Sequence, residues 1–492
     1  MTTVYLTELF CVIGAIGLIM TGSLKRDISR VQLTNTAIVI LGFIIGLAFY
    51  NLYTFAPTSC ATEAYICADS LSMSVKPLLI SMLLVIVIIS SRYVLHQHMP
   101  VAEFYSLALL STCGVLVLLD SQSIVMLYLA LELISLPSYI MCALAPNDSL
   151  GKEAAMKYFI IGSIGSGLVL FGLSWLYGLT GVITLSDISK ALLLIEVDST
   201  TSNAMSTTTL ISASITIMGV LIKLGVAPLH WWVADTYQGA NTPTTLFLST
   251  IPKFGAATIL FKLLHLALST ASLQENLCQA LVCIGLFSIF WGNFLALTQH
   301  NLKRLLAYSS ISHMGIVVVA LSMPKLYLFD FQMASIAYAY LLIYSLATLI
   351  TFYVIIEINQ QSTNQITLSD ISGLNQTCPT LAFFLLIAIF STASIPPLAG
   401  FFAKLPVLSL MIDHQYVNAS ILLMLLSAIG VGYYINIIRT IYFIEPSDNQ
   451  MIIHPHKLTH HVVSFIGLAV VVFAIYPNGI ILHYFSRSYL TM

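Results

Sequence analysis

Two lysines of this chain occupy apolar stretches in which a charge is costly. Lys223 precedes Pro228 in GVLIKLGVAPLHWW, and Lys253 lies in the next stretch, NTPTTLFLSTIPKFGA, whose apolar part begins at Thr242. At about 1.5 Å of rise per residue, the roughly eleven residues from Thr242 to Lys253 reach the middle of a hydrocarbon core about 30 Å thick. A lysine at that depth is unfavourable unless it is paired, hydrated or neutral, so both positions predict a function.

Three further ionisable side chains lie in the middle of other apolar stretches. Glu132 occurs in YLALELISLPSYI, His313 in LLAYSSISHMGIVVV and Lys404 in STASIPPLAGFFAK. The spacing from Glu132 to Lys223 recurs between the other two residues, which predicts two related units, with coincidence as the alternative. Roughly five spans separate the corresponding residues, and an odd number of spans per unit makes the two units inverted.

This set of residues suits proton transfer better than metal binding or nucleophilic catalysis. Lysine does not ligate hard cations, and the carboxylates are too few for a cation site. The sequence contains neither GxSxG nor CxxC, so it favours no serine hydrolase and no iron–sulfur or zinc centre. Burial disfavours the charged form of a lysine and a nearby carboxylate favours it, so a lysine beside a movable glutamate can switch near pH 7. We predict that Glu132 and Lys223 form this switch.

The remaining candidates complete a path across the membrane interior. We expect Lys253 to be the central proton carrier and Lys404 to be the second terminal site. His313 is expected to relay protons because the ordinary pKa of histidine is close to neutral. His230, which follows the break at Pro228, is a further candidate relay.

Each of these residues also has a structural interpretation. Glu132 and Lys223 could form a static ion pair, and Lys404 could extend to the membrane surface near the end of its span. His313 alone would more often be a histidine of helix packing. Lys253 has no evident partner in the sequence, which makes a static role harder to defend.

Other charged residues are expected at the membrane surface. The sequence places Lys262 and His265 near the outer interface and Lys152 and Lys157 at the cytoplasmic start of a span, where long side chains reach the headgroups. Asp235 begins the turn DTYQGANTP and is expected to cap a helix on the cytoplasmic side.

The composition determines the class of protein that must position these residues. The 492 residues are 58% hydrophobic and 8% charged, with a mean hydropathy of +0.95. Soluble domains have about 25% charged residues, so we predict an all-α polytopic membrane protein without a separate soluble domain. No basic tract is present for nucleic acid. The stretch MTTVYLTELFCVIGAIGLIM lacks the features of a cleaved signal peptide and predicts the first spanning helix.

About fourteen apolar segments are long enough to cross a bilayer. Pro228 interrupts the seventh of them, and Pro396 and Pro397 interrupt the twelfth, so we predict that both helices are broken. Broken helices at corresponding positions of two repeats indicate a transport pathway. The predicted spans lie near 5–23, 33–55, 71–95, 104–119, 121–145, 153–180, 207–237, 242–268, 275–298, 300–323, 330–358, 378–412, 417–444 and 459–485.

The distribution of lysine and arginine predicts an N-terminus on the outer side, because most of these residues then lie on the cytoplasmic side. The predicted domains are the first three spans in 1–100, a first repeat in 101–270, a second inverted repeat in 271–445 and a last helix in 446–492. The basic residues left at the outer side are Lys76, Lys190, Lys262, Lys325 and Arg487.

The eight cysteines are scattered, mostly in apolar runs where cysteine behaves as a small hydrophobic residue. Only Cys60 and Cys67 share a loop, which is predicted to lie outside. A disulfide bond and two free thiols are both open for this pair.

Four segments together resemble the antiporter-like membrane subunits of respiratory complex I. These segments are ELISLPSY, IKLGVAPLHWW, ADTYQGANTP and KRLLAYSSISHMG, and the likeness extends over about 100–445. The likeness is greatest to subunit N of the bacterial enzyme, the equivalent of mitochondrial subunit 2. The family usually has a second proline where Asn241 stands, so the local turn differs here.

The resemblance implies a proton-translocating subunit with two inverted five-helix repeats and broken seventh and twelfth helices. It assigns the Glu–Lys pair to Glu132 and Lys223, the central lysine to Lys253 and the terminal lysine to Lys404. In the related subunits M, glutamate typically stands where this chain has Lys404. Subunits L carry a long lateral helix, for which no room is expected after the fourteenth predicted span of this chain.

The expected function is therefore proton translocation driven by quinone reduction elsewhere in an NADH:quinone oxidoreductase. No flavin, iron–sulfur or nucleotide motif is present, so these cofactors are expected in partner subunits, and the quinone is not expected to bind here. The expected location is a bacterial inner membrane, or a mitochondrial inner membrane for an organelle-encoded chain. The alternatives are a subunit of a cation/proton antiporter or hydrogenase-linked complex, and a structural membrane subunit with an idle channel.

Overall fold

A computed structural model of the chain describes residues 5–24, 29–54, 65–145, 148–197, 202–267, 271–323, 330–359, 366–445 and 457–475. Within these ranges, thirteen helices are long and apolar enough to cross a membrane. The described segments contain no β-strand beyond three isolated bridges. The prediction of an all-α polytopic membrane protein is therefore confirmed.

Eighteen α-helices and one short 3-10 helix make up the described part of the chain. In chain order the α-helices are α1 Leu6–Leu24, α2 Arg30–Thr54, α3 Ser70–His96, α4 Val101–Asp120, α5 Ile124–Cys142, α6 Ser149–Thr180, α7 Leu185–Val197, α8 Ser202–Leu224, α9 Trp231–Gly239, α10 Thr242–Ala267, α11 Ala271–Ala296, α12 Leu302–Leu321, α13 Asp330–Asn359, α14 Leu374–Thr377, α15 Pro379–Thr392, α16 Ala399–Asp413, α17 Val417–Phe443 and α18 Lys457–Ile475. The 3-10 helix is Leu368–Ile371.

The segment predicted as the seventh span consists of two helices. α8 ends at Leu224 and α9 begins at Trp231, and Gly225 between them has a φ of 72°. This left-handed backbone conformation favours glycine, and Pro228 supplies no N–H to extend α8. The local sequence thus ends one helix and starts another.

A second interruption lies in the predicted twelfth span. α15 ends at Thr392 and α16 begins at Ala399, and Pro396 and Pro397 lie between them. Neither half reaches the length of a full span, which is why thirteen rather than fourteen helices qualify. The inverted relation of the two repeats stays a prediction.

The most buried helices are those that carry or face the predicted site. Buried residues make up 83% of the most apolar 18-residue stretch of α10 and 89% of that of both α12 and α13, compared with 33% in α1, α2, α17 and α18. The core of the protein therefore lies around α10, α12 and α13, and the four peripheral helices present apolar faces outward.

Close helix contacts in this core depend on glycine. A Cβ atom added to Gly219 of α8 would lie 2.6 Å from the carbonyl oxygen of Gly165 in α6, and one added to Gly315 of α12 would lie 2.6 Å from that of Gly285 in α11. No real side chain fits at such a distance. Small residues allow helix backbones to approach in this way within membranes.

Candidate functional site

Lys223 lies in the last turn of α8 and is bound by hydroxyl groups of α5. Its Nζ donates hydrogen bonds to Oγ of Ser135 at 2.8 Å and to the hydroxyl of Tyr139 at 2.9 Å. The ammonium group also lies 5.4 Å from the centroid of the Tyr139 ring. Hydroxyl groups can both accept and donate a proton, so this arrangement holds the lysine without fixing its charge.

Glu132 and Lys223, the predicted switch, form no direct ion pair within the described part of the chain. Among the described residues, no carboxylate oxygen lies within 4.0 Å of the Lys223 ammonium, and Oε1 of Glu132 has no hydrogen-bond partner. Ser135 and Tyr139 follow Glu132 on α5, so the ammonium lies about one to two helical turns beyond the carboxylate. The two charges still interact through space.

Glu132 lies at the margin of an uncovered face of α5. Leu129 and Leu136, one helical turn before and after it, are 54% and 49% exposed. Ile140 continues this face and is also exposed. A carboxylate beside such a face is close to whatever packs against α5 in the membrane.

Lys253 of α10 binds the backbone that the break at Pro228 leaves open. Its Nζ donates to the carbonyl oxygen of Leu224 at 2.6 Å, and its side chain is 2% exposed. In a continuous helix that carbonyl would accept from the N–H of residue 228, which proline lacks. The lysine thus caps the C-terminal end of α8, where the helix dipole favours a cation.

Other side chains satisfy the rest of this break. Nε1 of Trp232 donates to the carbonyl oxygen of Ile222 at 2.8 Å, and the backbone N–H of Ala227 donates to Oγ of Ser288 at 3.2 Å. The Lys253 ammonium lies 5.6 Å from the centroid of the Trp232 ring. Irregular backbone is therefore tolerated here because protein surrounds it.

His230, the other candidate at this break, precedes α9 at its N-cap position. Its side chain is buried, and its ring centroid lies 6.4 Å from that of Trp291. Within the part of the chain that the structure describes, its Nδ1 has no hydrogen-bond partner. The structure thus places His230 beside the break without joining it to Lys223 or Lys253.

His313 of α12 lies in a group of tyrosines. Nδ1 is 2.7 Å from the hydroxyl of Tyr340, and Nε2 is 3.1 Å from that of Tyr434. The Tyr434 hydroxyl is also 2.5 Å from Oγ of Ser309. The imidazole therefore has a hydroxyl group at each nitrogen, as a proton relay requires.

Lys404 of α16 is buried on the other side of this group. It acts electrostatically on His313, and no hydrogen-bond or ion-pair partner of its ammonium occurs among the described residues. A small cavity lies between α12, α13 and the break that separates α15 from α16. It is lined by His313, Tyr340, Ile343, Tyr344, Ala347, Ser391, Thr392, Ser394, Gly400 and Ala403.

Hydroxyl groups also lie between the two halves of the site. The Ser310 hydroxyl lies near Tyr237 of α9 and Tyr344 of α13, although it hydrogen-bonds to neither within the described residues. The ring of Tyr344 is 4.9 Å from that of His313. Hydroxyl groups are therefore present between the first broken helix and the cavity that His313 lines.

Lys262, which was predicted at the membrane surface, is buried, and so is Lys303. Lys262 donates to the carbonyl oxygens of Leu119 and Ser121, and Lys303 donates to that of Ala240 at 2.6 Å. Placing Lys262 at the interface was wrong, because the open carbonyls at the end of α4 bind it inside the protein. The side chain of His265 lies outside the described residues.

Lys76, which was predicted on the outer side, is buried and ion-paired rather than exposed there. It is 2% exposed and lies between Glu8 and Asp120, at 2.6 Å and 2.5 Å from their carboxylate oxygens. The available indication was that all three residues occur close to the predicted outer ends of spans, with opposite charges at similar depth. Sequence reasoning considered only lysine and arginine there and missed the carboxylates.

On the cytoplasmic side, charges join α6, α9 and α12. Asp235 pairs with Lys157 at 2.9 Å and with Arg304 at 3.2 Å, and Lys157 also pairs with Glu153. Asp235 is thus an ion-pair partner rather than only a cap, and Lys157 does more than reach the headgroups.

Cys67 is disulfide-bonded, and Cys60 lies outside the described residues.

Metal binding finds no support in this geometry. Within the described ranges, no three His, Cys, Asp or Glu side chains are placed to hold a metal ion. The arrangement instead brings lysines, a histidine and hydroxyl groups into one buried region, which suits the transfer of protons between neighbouring side chains.

Comparison with known proteins places these residues in a family. Residues 121–430 match the family described as NADH:quinone oxidoreductase/Mrp antiporter, transmembrane. The chain is 34% identical over 480 residues to NADH-quinone oxidoreductase subunit N of Azoarcus sp. (strain BH72), covering 96% of this chain and 94% of the relative. It is 33% identical over 474 residues to the protein of the same name from Coxiella burnetii (strain RSA 493 / Nine Mile phase I), covering 96% and 95%.

Solved structures share the fold at lower identity. A chain of respiratory complex I from Thermus thermophilus with bound Aureothin superposes with a TM-score of 0.77 at 23% identity, covering 97% of this chain and 98% of that one. A chain of the membrane-bound sulfane sulfur reductase, an archaeal respiratory membrane complex, gives 0.84 at 19% identity, covering 99% and 97%. From the extent of the family match and the identity to its full-length relatives, the chain belongs to the NADH-quinone oxidoreductase subunit N family.

Proposed function

We propose that this chain is a proton-translocating membrane subunit of an NADH:quinone oxidoreductase in an inner membrane. The observation that carries the proposal is the set of two buried lysines, Lys253 and Lys404, and the partly buried Lys223, none of which has a carboxylate within ion-pair distance among the described residues. A lysine held by hydroxyl or carbonyl groups can lose its proton without leaving a buried anion behind.

In this proposal Glu132 and Lys223 exchange charge across the turn that separates them. A change of charge at Glu132 alters the stability of the Lys223 ammonium through space, and Ser135 and Tyr139 offer hydroxyl groups for the proton to pass through. The absence of a direct ion pair favours this role, because a closed pair would hold the proton more firmly.

Lys253 is the central carrier in the same proposal. Its ammonium donates to the Leu224 carbonyl, which cannot itself take up a proton, so the proton must leave toward another group. Beyond it, His313 would accept and donate between the hydroxyls of Tyr340 and Tyr434, and Lys404 would be the second terminal site. His230 is a secondary relay candidate beside the break.

The redox chemistry would belong to partner subunits. The named relatives are subunits of NADH-quinone oxidoreductase, and no flavin, nucleotide or iron–sulfur motif occurs in this sequence. We therefore infer that flavin and iron–sulfur clusters are bound by other chains and that this chain binds no quinone. Its task would be to move protons when quinone reduction elsewhere changes the charge near Glu132.

The test uses the assembled complex in inverted membrane vesicles. Lys253→Ala and Lys223→Ala should lower NADH-driven proton uptake at least about a hundredfold, the lower end of the range expected for loss of a positioned proton-transfer group. Lys190→Ala is a matched control, because Lys190 is an exposed lysine of the connector helix α7. Wild-type proton uptake in both Lys253→Ala and Lys223→Ala would overturn the proposal in favour of a structural subunit.

A cation/proton antiporter subunit is the second candidate. A chain of the Mrp complex from Dietzia sp. DQ12-45-1b shares the fold with a TM-score of 0.79 at 17% identity. Proton uptake that is unchanged when potassium replaces all sodium supports the proton pump. A strict requirement for sodium would support the antiporter instead.

A further inference from the structure

A buried ionic cluster lies away from the residues considered so far. Lys76 of α3 contacts Oε1 of Glu8 in α1 and Oδ2 of Asp120 in α4. Oγ1 of Thr7 donates to the other carboxylate oxygen of Glu8 at 2.7 Å. All of these residues are at helix ends that the sequence predicts to face the outer side.

Two more charged residues extend this group. Lys262 of α10 donates to the carbonyl oxygens of Leu119 and Ser121, on either side of Asp120. Asp69, at the N-cap of α3, lies within electrostatic reach of Lys262. We call Glu8, Asp69, Lys76, Asp120 and Lys262 the outer cluster.

The outer cluster contains one more acid than base. With all groups ionised, its three carboxylates and two ammonium groups carry one net negative charge in a largely buried place. An unbalanced buried charge is costly, whereas one additional proton would neutralise the cluster.

A specific oxygen is open for that proton. Asp120 is fully buried, and its Oδ1 accepts no hydrogen bond within the described part of the chain. The neighbouring Ser72 hydroxyl donates to the backbone carbonyl of Asp69 at 2.8 Å and interacts with the Asp120 carboxylate only weakly. Burial disfavours the charged carboxylate, and a proton on Oδ1 removes that charge.

We propose that the outer cluster is a proton-exchange site between the interior of the protein and the outer face, with Asp120 as the group that takes up and releases the proton. This inference rests on the proposed function. In the uptake step an O–H bond forms at Oδ1 of Asp120 and the cluster becomes neutral. In the release step the proton passes to water at the outer face, and the carboxylate is restored. Lys76 remains an ammonium throughout and holds Glu8 and Asp120 in place.

The helix α10 connects this cluster with the central lysine. Lys253 and Lys262 are separated by about nine residues, or about 13.5 Å of helix rise. At intermediate depth, Oγ1 of Thr258 lies 2.8 Å from the hydroxyl of Tyr338, whose ring stacks on Phe254. Exchangeable hydroxyl groups therefore exist between the membrane centre and the outer cluster.

A short segment covers the cluster toward the outside. The backbone N–H of Cys67 donates to the carbonyl oxygen of Asp120 at 2.7 Å, and the Tyr5 hydroxyl donates to that of Ile66 at 3.1 Å. Asp69, at the end of this segment, is partly exposed. Burial raises the pKa of Asp69 and Lys262 opposes this effect, so Asp69 can take part in exchange with outer water at a higher pH than an ordinary aspartate.

Other titratable groups face the cluster and belong to its pH response. The ring of Tyr5 lies 6.0 Å from the Lys76 ammonium, and Sγ of Cys113 donates to the backbone carbonyl of Glu8 at 3.7 Å. Cys11 interacts electrostatically with Glu8, and Tyr338 of α13 does so with Asp69. None of these groups is charged near neutral pH in its ordinary state, so the carboxylates determine the response there.

The test uses the whole complex reconstituted in liposomes with its outer face toward the lumen. We expect Asp120→Asn, which removes the proton site while keeping the shape, to lower lumen acidification per oxidised NADH about tenfold, and Asp120→Glu to restore most of it. Asp187→Asn is the matched control, because Asp187 is an exposed outer-side aspartate paired with Lys190 at 3.1 Å. All rates are taken per assembled complex.

The dependence on lumen pH separates exchange from a structural role. Between about pH 5 and 8 the wild-type rate should fall as the lumen becomes more acidic, because release from the cluster is opposed, and Asp120→Asn should remove this dependence. A wild-type rate and pH profile in Asp120→Asn would overturn the inference. So would an unchanged pH profile at a lower rate, which indicates a structural role.

The result for Lys253→Ala in the same liposomes distinguishes this inference from the proposed function. If Lys253→Ala is defective while Asp120→Asn behaves like Asp187→Asn, the outer cluster is no exchange site and the proposed function stands. If both Lys253→Ala and Asp120→Asn acidify the lumen at the wild-type rate, both proposals fail.

Discussion

At the scale of single residues, none of the lysines on the proposed proton path forms an ion pair among the described residues. Lys223 is held by two hydroxyl groups, and Lys253 by one carbonyl oxygen. These partners stabilise the ammonium without supplying a compensating negative charge. By contrast, Lys76 has two carboxylates within 2.6 Å. Lys223 and Lys253 are therefore suited to gaining and losing a proton, whereas Lys76 is suited to remaining an ammonium.

The hydroxyl groups around Lys223 provide the first prediction. Combining Ser135→Ala with Tyr139→Phe removes both acceptors, and each lost hydrogen bond to a charged group destabilises the ammonium by about 1.5–3 kcal/mol. We expect NADH-driven proton uptake by inverted vesicles to fall at least about tenfold, since about 1.4 kcal/mol corresponds to a factor of ten.

The control for this variant is Tyr177→Phe, which removes an exposed hydroxyl group of α6. It should leave proton uptake unchanged. If the double variant pumps as the control does, these hydroxyl groups are no part of the path, and the direct action of Glu132 on Lys223 would have to suffice.

The types of the site residues could be predicted from the sequence, but their partners could not. Depth within an apolar span identified Lys223, Lys253 and Lys404, because burial of a charge is visible in sequence alone. The partner of Lys253 is a backbone carbonyl, which every residue has and no pattern distinguishes. Glu8 and Asp120 escaped notice because their partner, Lys76, comes from a distant part of the chain.

At the scale of elements, the break between α8 and α9 creates the site of the central lysine. Pro228 leaves the Leu224 carbonyl without its helical donor, and Lys253 uses this acceptor. Apolar length and proline predicted about fourteen spans with two interruptions, and thirteen described helices are long and apolar enough to span. Each connection at the breaks is six residues long, and the capping of the first by Lys253 of α10 could not be predicted from the local sequence.

Restoring the missing donor is the second prediction. Pro228→Ala supplies an N–H that can bind the Leu224 carbonyl and so competes with Lys253 for it. We expect the complex to assemble and proton uptake per NADH to fall several-fold, because an ammonium that loses its acceptor is less stable by about 1.5–3 kcal/mol.

Pro379→Ala is the appropriate control for that variant. Pro379 begins α15, where a helix needs no N–H, so its replacement should not change proton uptake. Equal proton uptake in Pro228→Ala and Pro379→Ala would contradict the view that the open carbonyl positions Lys253.

The close contact of α6 and α8 gives the third prediction. In Gly219→Val the added carbon atoms would overlap the Gly165 carbonyl, at 2.6 Å for Cβ alone, and overpacking of this kind destabilises by about 1–3 kcal/mol or more. We expect less assembled complex in membranes, measured by native gel electrophoresis. Gly167→Val is the control, because a Cβ at Gly167 meets no atom within 4 Å. Similar amounts of complex in both variants would contradict this packing.

At the scale of the whole molecule, an uncovered face of α5 indicates where a neighbouring membrane subunit binds. Glu132 lies on α5 between the exposed residues Leu129 and Leu136. A carboxylate beside lipid in mid-membrane is costly, so protein is expected to cover this face in the complex. The exposed face of α17, with Ile421, Met424 and Leu425, has no charge at comparable depth, and lipid can cover it without this cost.

The fourth prediction follows from this difference. A photoreactive label on Leu136→Cys should cross-link to another protein subunit of the assembled complex, whereas the same label on Met424→Cys should react mainly with lipid. Leu136 and Met424 are similarly exposed in the isolated chain, at 49% and 59%. A difference between their cross-linked products in the complex therefore reports what covers each residue there. Cross-linking of Leu136→Cys to lipid alone would leave Glu132 facing the bilayer. The charge on Glu132 would then have to be neutral at rest, and a change of charge in a partner subunit would have no direct route to Lys223.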